Sequence, residues 1–294
     1  MANKLVRSIK ASELALALKL DWYGVDLSIE SVCTLDSISS GGLCFSKKII
    51  ETTFKKQTIL LSPPGTKAGV GSVIATNNPR LDFARALILL DKLAGFCKWQ
   101  EEPRLGHDVF ISQTAVIGKG VVIGARSFVG HNVVINDGVH IGEDCIIKSN
   151  TVIGEPGFGF ERDELGRPIR LLHLGNVVIG NRVELGSLNS VCRGTIENTI
   201  IEDDVKTDDQ VHIGHNCIIR CGSLIAACAE ISGGVDVGEH TWIGPNSSII
   251  QKVKIGNKSF IGIASNVTKS VKNETTVAGN PARQLMIKKL IKKN

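Results

Sequence analysis

Two histidines lie at positions 212 and 215, in the segment VHIGHNCIIR, within a run that is otherwise typical of packed β structure. A histidine with the ordinary pKa of about 6.5 is largely neutral at physiological pH and can take a proton from an attacking amine. Histidine is also a common idle polar residue at the corners of repetitive β scaffolds. Which interpretation holds for this pair depends on the elements that position the rings.

A six-residue repeat organises most of the chain from Ile111 onwards. The first eight hexads each begin with Ile or Val, and Gly, Asn or Asp follows near the corner. The frame breaks across 159–178 and then returns for three hexads (IGNRVE, LGSLNS and VCRGTI). After a four-residue insertion (ENTI) it resumes at Ile201 and continues to about residue 272, with Thr207 as the one non-aliphatic leading residue. Three hexads, about 18 residues, form one coil, and coils stack about 4.8 Å apart. The repeat predicts a mainly β fold, a left-handed parallel β-helix.

The sequence predicts three segments: a small α+β domain over 1–100, the β-helix over 101–278, and a C-terminal turn and basic helix over 279–294. In the first domain we expect one helix capped by Ser12 and a second ending at Gly95. In this domain the predicted helices are the segments SELALALKL and RLDFARALILLDKLAG, and the predicted strands are TILLS and GSVIAT. The segment KWQEEPRLGHD is predicted to be the linker, and NPARQLMIKKLIKKN the basic helix.

The composition favours a soluble globular protein with 43% hydrophobic and 21% charged residues. No apolar stretch reaches the roughly 18 residues that a membrane span requires, and the N-terminus is typical of mature sequence. The net charge of +5 is concentrated in the last seven residues and does not indicate a nucleic-acid partner. Eight cysteines without CxxC pairs favour reduced thiols in the cytoplasm, with no metal centre.

The order of several motifs closely resembles the UDP-3-O-(3-hydroxyacyl)glucosamine N-acyltransferase family. The motifs are GFGF at 157–160, the return at HLGNVVIG, the RGTIENT insertion, the terminal IGHN, and NNPRLDFARALILLD nearer the N-terminus. The resemblance covers nearly the whole chain. It implies a homotrimer that moves an acyl group from a thioester, on acyl carrier protein or coenzyme A, to the amine of a nucleotide-linked amino sugar. The product would serve lipid A or surface-glycan synthesis, without a permanently bound cofactor.

The resemblance also assigns roles to individual residues. It implies that His215 is the general base and that Asp208 orients it, as the aspartate does in a catalytic triad. Gly233 follows His215 by one predicted coil, and its backbone N–H could stabilise the oxyanion; the family points to the same glycine. His212 falls next to the corner and is expected to line the substrate cleft.

Three phenylalanines are candidates for substrate binding. Phe158 and Phe160 lie in the loop that interrupts the helix, and we expect them to form a wall for a sugar ring or an acyl chain. Phe45 corresponds to the family's aromatic residue in the nucleotide-binding segment. That segment here is GGLCFSKKII, without the family's asparagine and tyrosine, which leaves a thymidine diphosphate sugar open beside a uridine diphosphate sugar.

The donor is predicted to contact the C-terminal coils. Lys252 stands where the family has a second histidine, which suggests a changed donor or acceptor. The segment VAGNPARQL, with Gly279, Asn280 and Arg283, resembles the end of coenzyme A-dependent sugar acetyltransferases. A coenzyme A-dependent sugar O- or N-acetyltransferase is therefore the main alternative, and a non-catalytic hexapeptide scaffold is a remote one. The terminal lysines either steer an acidic carrier protein or form a solvated end: Lys288, Lys289, Lys292 and Lys293.

Overall fold

A computed structural model describes residues 3–51 and 56–285. The chain forms two compact units. The first unit holds residues 1–99 together with 158–175 and 195–197, and the second holds 100–157, 176–194 and 198–294. The first segment of this unit ends at Trp99, and the sequence places its domain boundary at residue 100. The two later segments of the first unit were expected in the β-helix, because a sequence frame does not show which unit an insertion packs against.

The first unit contains, in its described residues, a mixed six-stranded sheet. The four inner strands are parallel and each outer strand is antiparallel to its neighbour. The predicted strands TILLS and GSVIAT are confirmed. In spatial order the strands are Lys4–Lys10, Ser28–Val32, Gly42–Phe45, Ile59–Ser62, Ser72–Ala75 and Trp22–Gly24.

Helix α1 spans Ala11–Leu18 and buries Ala11, Leu14 and Ala15. The prediction that Ser12 caps it is wrong. The cap is Lys10, which makes no side-chain hydrogen bond, and the Ser12 hydroxyl donates to Asp26 Oδ2 at 2.9 Å instead. The chain enters α1 directly from a strand, so the helix begins at Ala11, two residues earlier than a cap at Ser12 would place it.

Helix α2 spans Pro79–Leu93, and Asn78 caps it by accepting a hydrogen bond from the Leu81 N–H. It ends two residues before Gly95, which has a φ of +71°, so the predicted stop at this glycine is confirmed. Packed on α2 in the same unit is an antiparallel hairpin of Phe160–Arg162 and Pro168–Arg170. Two ion pairs join them: Arg80–Glu161 at 2.7 Å and Arg85–Glu164 at 2.6 Å.

The second unit is the β-helix, whose short parallel strands stack into three faces. The first face consists of Arg104–Leu105, Val122–Ile123, His140–Ile141, Val177–Ile179, Thr199–Ile201, Ile218–Ile219, Asp236–Val237 and Lys254–Ile255. The second consists of Phe110–Ile111, Phe128–Val129, Ile146–Ile147, Glu184–Leu185, Lys206–Thr207, Leu224–Ile225, Trp242–Ile243, Phe260–Ile261, Thr276–Ala278 and Arg283–Gln284. The third consists of Val116–Ile117, Val134–Ile135, Val152–Pro156, Ser190–Arg193, His212–Ile213, Glu230–Ile231, Ser248–Ile249 and Asn266–Val267.

The leading aliphatic residues of the hexads point inward and form one continuous core. The polar leader Thr207 is also buried, and its hydroxyl oxygen accepts hydrogen bonds from the Gly186 N–H at 3.1 Å and from the buried Asn189 amide at 3.2 Å. The core therefore tolerates one polar leading residue, because the hydroxyl of this threonine has hydrogen-bond partners. The first strand is Arg104–Leu105, so the helix begins inside the segment that the sequence predicts as a linker.

The last described coil ends in a strand. Arg283–Gln284 pairs antiparallel with Thr276–Ala278 across a turn at Gly279, whose φ is +98°. The prediction of a helix from Pro281 is therefore wrong for residues 281–285, where the strand extends the second face. The four terminal lysines lie outside the described residues. None of the helices in the described part of the chain is long and apolar enough to cross a membrane.

Candidate active site

His215 lies at a corner of the β-helix, where the chain leaves the third face after His212–Ile213 and turns toward the first face at Ile218–Ile219. The side chain is half-buried. The following residue, Asn216, has a left-handed φ of +60° that makes the turn. In the next two coils the same corner carries Gly233–Gly234 and Gln251–Lys252, with left-handed Gly234 and Lys252. We call this stack of residues 215–216, 233–234 and 251–252 the histidine corner.

Asn216 fixes the orientation of the imidazole. Its side-chain oxygen lies 3.0 Å from His215 Nδ1. An amide oxygen only accepts, so Nδ1 donates the hydrogen of this bond, and Nε2 is the other ring nitrogen, the one placed to act as a general base. The Asn216 N–H donates to the hydroxyl of the fully buried Thr199 at 2.9 Å, which anchors the corner.

Gly233 lies directly against the ring of His215. A methyl group added at Gly233 would come within 2.7 Å of both Nε2 and Cε1 of His215. Backbone hydrogen bonds hold the stack: the Gly234 N–H donates to the His215 carbonyl at 2.8 Å, and the Lys252 N–H donates to the Gly233 carbonyl at 3.1 Å. The predicted spacing of one coil between His215 and Gly233 is thus present, and only glycine leaves room for the ring.

The Gly233 N–H is available as a donor. At the same corner of an earlier coil, the Lys119 N–H donates to Asp137 Oδ1 in the next coil at 2.8 Å. For Gly233 the next coil offers Gln251, and no hydrogen bond from the Gly233 N–H is formed within residues 3–51 and 56–285. A half-buried N–H beside a base is suited to stabilise a developing oxyanion.

Asp208 lies at a different corner, between the second and third faces, after Lys206–Thr207. Its carboxylate is exposed and accepts a hydrogen bond from the Asp209 N–H at 2.9 Å, while its carbonyl accepts one from the Asn189 amide at 3.0 Å. The structure therefore does not bring Asp208 and His215 together at one corner of the chain. The third face lies between the two corners.

His212 lies on the outer side of the third face, in register with Ser190 and Glu230. Within one chain it is near the start of the histidine corner but not part of it. The third histidine of these coils, His240, lies at the corner between the first and second faces, where its ring packs over Gly222. The described residues contain no group of three His, Cys, Asp or Glu side chains placed to hold a metal ion.

Phe158 and Phe160 lie in the first unit, at the hairpin on α2. Their ring centroids are 5.0 Å apart at an interplanar angle of 62°, and the Arg170 guanidinium lies 4.6 Å from the centroid of Phe160. Phe158 is 90% exposed. Together with Arg162 and Pro168, the two rings line an open cavity of about 480 Å³. An exposed aromatic ring in such a cavity is suited to pack against a ligand.

Phe45 ends the strand Gly42–Phe45 and packs against Phe83 of α2, with ring centroids 4.8 Å apart and the ring planes tilted by 37°. It is half-buried in the core of the first unit, so one side of the ring is used for packing. Lys252, in contrast, is exposed and packs over Gly234, which places it on the histidine corner.

Gly279, Asn280 and Arg283 are exposed in the turn and strand that close the second face. The Asn266 amide, on the third face, donates to Asn280 Oδ1 at 3.3 Å. These residues are therefore assembled at the last described coil.

Sequence reasoning missed Asn216 as the residue that orients the base. The sequence does contain a signal for this role, which is an asparagine at the corner directly after the histidine. Asparagine is one of the few residues that adopt a left-handed φ at a tight corner. A polar residue held in that conformation directly after a histidine brings its side chain back toward the ring.

Comparisons with known proteins agree with the fold and the motifs. The model of the family "bacterial transferase hexapeptide (six repeats)" matches residues 120–155. The UDP-3-O-acylglucosamine N-acyltransferase of Campylobacter lari is 33% identical over 306 residues, with 93% of each chain covered. The chain belongs to the UDP-3-O-acylglucosamine N-acyltransferase family.

Other relatives match over a shorter region. The probable UDP-3-O-acylglucosamine N-acyltransferase 2, mitochondrial, of Arabidopsis thaliana is 37% identical over 128 residues, 44% of this chain and 42% of that protein. The chain thus spans about two fifths of the length of several curated relatives that it matches. Solved UDP-N-acetylglucosamine acyltransferases of Francisella novicida and Bacteroides fragilis have TM-scores of 0.58 at 23% and 20% identity. They cover 65% of this chain and 68% and 72% of their own, and support the left-handed β-helix.

Proposed function

We propose that the protein is an N-acyltransferase that moves an acyl group from a thioester to the amine of a nucleotide-linked amino sugar. The observation that carries the proposal is the histidine corner. There, Asn216 orients the His215 ring through Nδ1, and Gly233, with its backbone N–H, lies against the side of the ring that carries Nε2. A base and an oxyanion donor in contact are the two groups that aminolysis of a thioester requires.

In the proposed reaction, the sugar amine attacks the thioester carbonyl, and His215 Nε2 takes one proton from the nitrogen. The Gly233 N–H donates a hydrogen bond to the tetrahedral oxyanion. The intermediate then collapses, the carbon–sulfur bond breaks, and the imidazolium returns its proton to the leaving thiolate. An amide and a free thiol are the products, and no cofactor remains bound.

For Asp208 we propose a role across a subunit interface of a homotrimer. Asp208 and His215 lie at the two corners that border the third face. If the third faces of three copies point toward a threefold axis, the Asp208 corner of each copy meets the histidine corner of its neighbour. Asp208 would then act on His215 of the next subunit, with His212 lining the same cleft.

The substrates are assigned to two regions. We propose that the cavity at Phe158 and Phe160 receives the nucleotide sugar or its acyl chain, with Phe45 on the nucleotide side, and that the nucleotide is uridine diphosphate. We assign the acyl donor to the C-terminal coils, with Lys252, Gly279, Asn280 and Arg283, where cationic side chains suit a phosphate group. The donor thioester is carried on acyl carrier protein or coenzyme A, and we place the reaction in the cytoplasm.

The test is an acyl-transfer assay on the purified protein. UDP-3-O-acylglucosamine and the corresponding dTDP-amino sugar are each combined with a 3-hydroxyacyl carrier protein or acetyl-coenzyme A, and the products are identified by mass spectrometry. We expect N-acylated UDP-sugar and a loss of at least 100-fold in kcat for His215→Gln. Exclusive use of acetyl-coenzyme A with another sugar would instead support the acetyltransferase alternative. If no combination of sugar and acyl donor reacts, the result would support the non-catalytic scaffold.

A further inference from the structure

Two cysteines of the first unit lie side by side on neighbouring parallel strands. Ser31 is in register with Gly42, and Val32 with Leu43. The Cys33 N–H continues this ladder by donating to the Leu43 carbonyl at 2.9 Å. Cys33 is therefore the cross-strand neighbour of Cys44, at the parallel-strand spacing of about 4.8 Å.

Both side chains are buried in the same small apolar cluster, with Leu60 and Ile50. Cys33 is 5% exposed and Cys44 is 1% exposed. A methyl group at Gly42 would lie 2.6 Å from Cys33 Sγ, so the sulfur occupies the space that this glycine leaves free. The register and the packing therefore hold the two sulfur atoms on the same side of the sheet.

The two thiols differ in acidity. The hydrogen bond from Cys44 lowers the pKa of the Cys33 thiol to about 6, burial opposes this change, and the N–H and hydroxyl of Ser39 add to it. The same bond, together with burial, raises the pKa of Cys44. A thiolate at Cys33 next to a thiol at Cys44 is the arrangement of an attacking and a resolving cysteine.

We propose that Cys33 and Cys44 form a modification site, a dithiol that a small hydroperoxide converts to a disulfide. The Cys33 thiolate attacks one peroxide oxygen, the O–O bond breaks, and a sulfenic acid and hydroxide form. Cys44 then attacks the Cys33 sulfur, the S–S bond forms, and the hydroxyl leaves with the Cys44 proton as water. Two thiols and one hydrogen peroxide thus give one disulfide and two waters.

The backbone geometry permits this bond. Disulfides form between Cα atoms about 4.4–6.8 Å apart, a range that includes neighbouring parallel strands. The bond would close the loop between the two strands. In that loop, Thr34 donates to Glu197 at 3.0 Å and Ser37 also bonds to Glu197, so the loop is already ordered. The site is independent of the histidine corner and of the proposed acyl transfer.

The test uses the tryptic peptide of residues 20–47, which contains Cys33 and Cys44 and no other cysteine. The native protein is treated with a small molar excess of hydrogen peroxide, denatured, alkylated and digested. We expect this peptide to lose two hydrogens and both alkylation sites, and to regain both after reduction. The rate should rise with pH through about 6, because the thiolate is the nucleophile. A peptide that keeps both alkylatable thiols while peroxide is consumed would overturn the proposal.

Two single variants separate the roles of the sulfurs. Cys44→Ser should stop at a sulfenic acid on Cys33, which dimedone captures, and Cys33→Ser should leave Cys44 unreactive. Cys145→Ser is the matched control, since Cys145 is a buried thiol whose pKa burial raises, and it should not change the rate. Disulfide formation in the intact protein is measured directly, so the result stands if a variant fails to fold. Equal reactivity of the two single variants would contradict the assigned roles.

Discussion

The contact between Gly233 and His215 gives the sharpest prediction for the site. In Gly233→Ala, the new methyl group would lie 2.7 Å from Nε2 and Cε1, whereas ordinary contacts begin at 3.4 Å. The ring must therefore move by about 0.7 Å. Since a 1 Å misplacement in an active site costs about 100-fold in rate, we expect kcat to fall roughly 10- to 100-fold. Gly233 does not adopt a positive φ, so the backbone accepts alanine without strain.

The assay is steady-state acyl transfer with both single variants and the double variant. In the His215→Ala background the ring is gone, so Gly233→Ala should cost little further activity, and the two effects should not add. Gly130→Ala is the matched control, because its methyl group would lie 3.0 Å from the Ser149 backbone nitrogen, away from the histidine corner and from the donor segment, and Gly130 has no positive φ. A folded Gly233→Ala protein with kcat within twofold of the wild type would refute the assigned geometry, as would additive losses.

Four further predictions test other parts of the molecule. Asn216→Gly keeps the left-handed corner but removes the acceptor of Nδ1, so kcat should fall about threefold to tenfold, the value of one hydrogen bond; equal kcat values would exclude a role in orientation. Phe158→Ala should raise KM for the nucleotide sugar and leave the urea midpoint unchanged, since this ring is 90% exposed. Ile249→Ala removes a fully buried core residue and should lower the free energy of unfolding by about 2–5 kcal/mol in urea titration, with the exposed Ile250→Ala as its control. The hydrogen bond from Arg182 lowers the pKa of Asp204, so its stabilisation is present above the unfolded pKa of 3.8 and is lost as pH falls below it; Arg182→Gln should reduce the difference between urea midpoints at pH 7 and pH 3.

The β-helix could be predicted from the sequence because its signal is local and repeated. An aliphatic residue at the start of every hexad determines which side chain of each strand points inward. The leading residues are buried as the repeat predicts, including the polar Thr207. The one-coil relation between His215 and Gly233 follows from the same period. Spacing along one corner is the quantity that such a repeat determines best.

Sequence reasoning fails where contacts between residues far apart in the chain determine the structure. Asp208 and His215 are seven residues apart, and these residues span the third face of the coil, so within one chain the two side chains lie at different corners. The hairpin at Phe160–Arg162 packs on α2 through the pairs of Arg80 and Arg85, which no sequence period reveals. Residues 283–284 have a helical composition, yet pairing with Thr276–Ala278 makes them a strand.

The central claim is that the histidine corner transfers an acyl group from a thioester to a sugar nitrogen. The most direct measurement is mass spectrometry of the product formed from UDP-3-O-acylglucosamine and an acyl thioester by the wild type and by His215→Gln, followed by hydroxylamine treatment, which cleaves esters and leaves amides. The account predicts a new hydroxylamine-resistant acyl group with the wild type and at least 100-fold slower formation with the variant. A hydroxylamine-labile product, or a folded His215→Gln protein within tenfold of the wild-type rate, would contradict it.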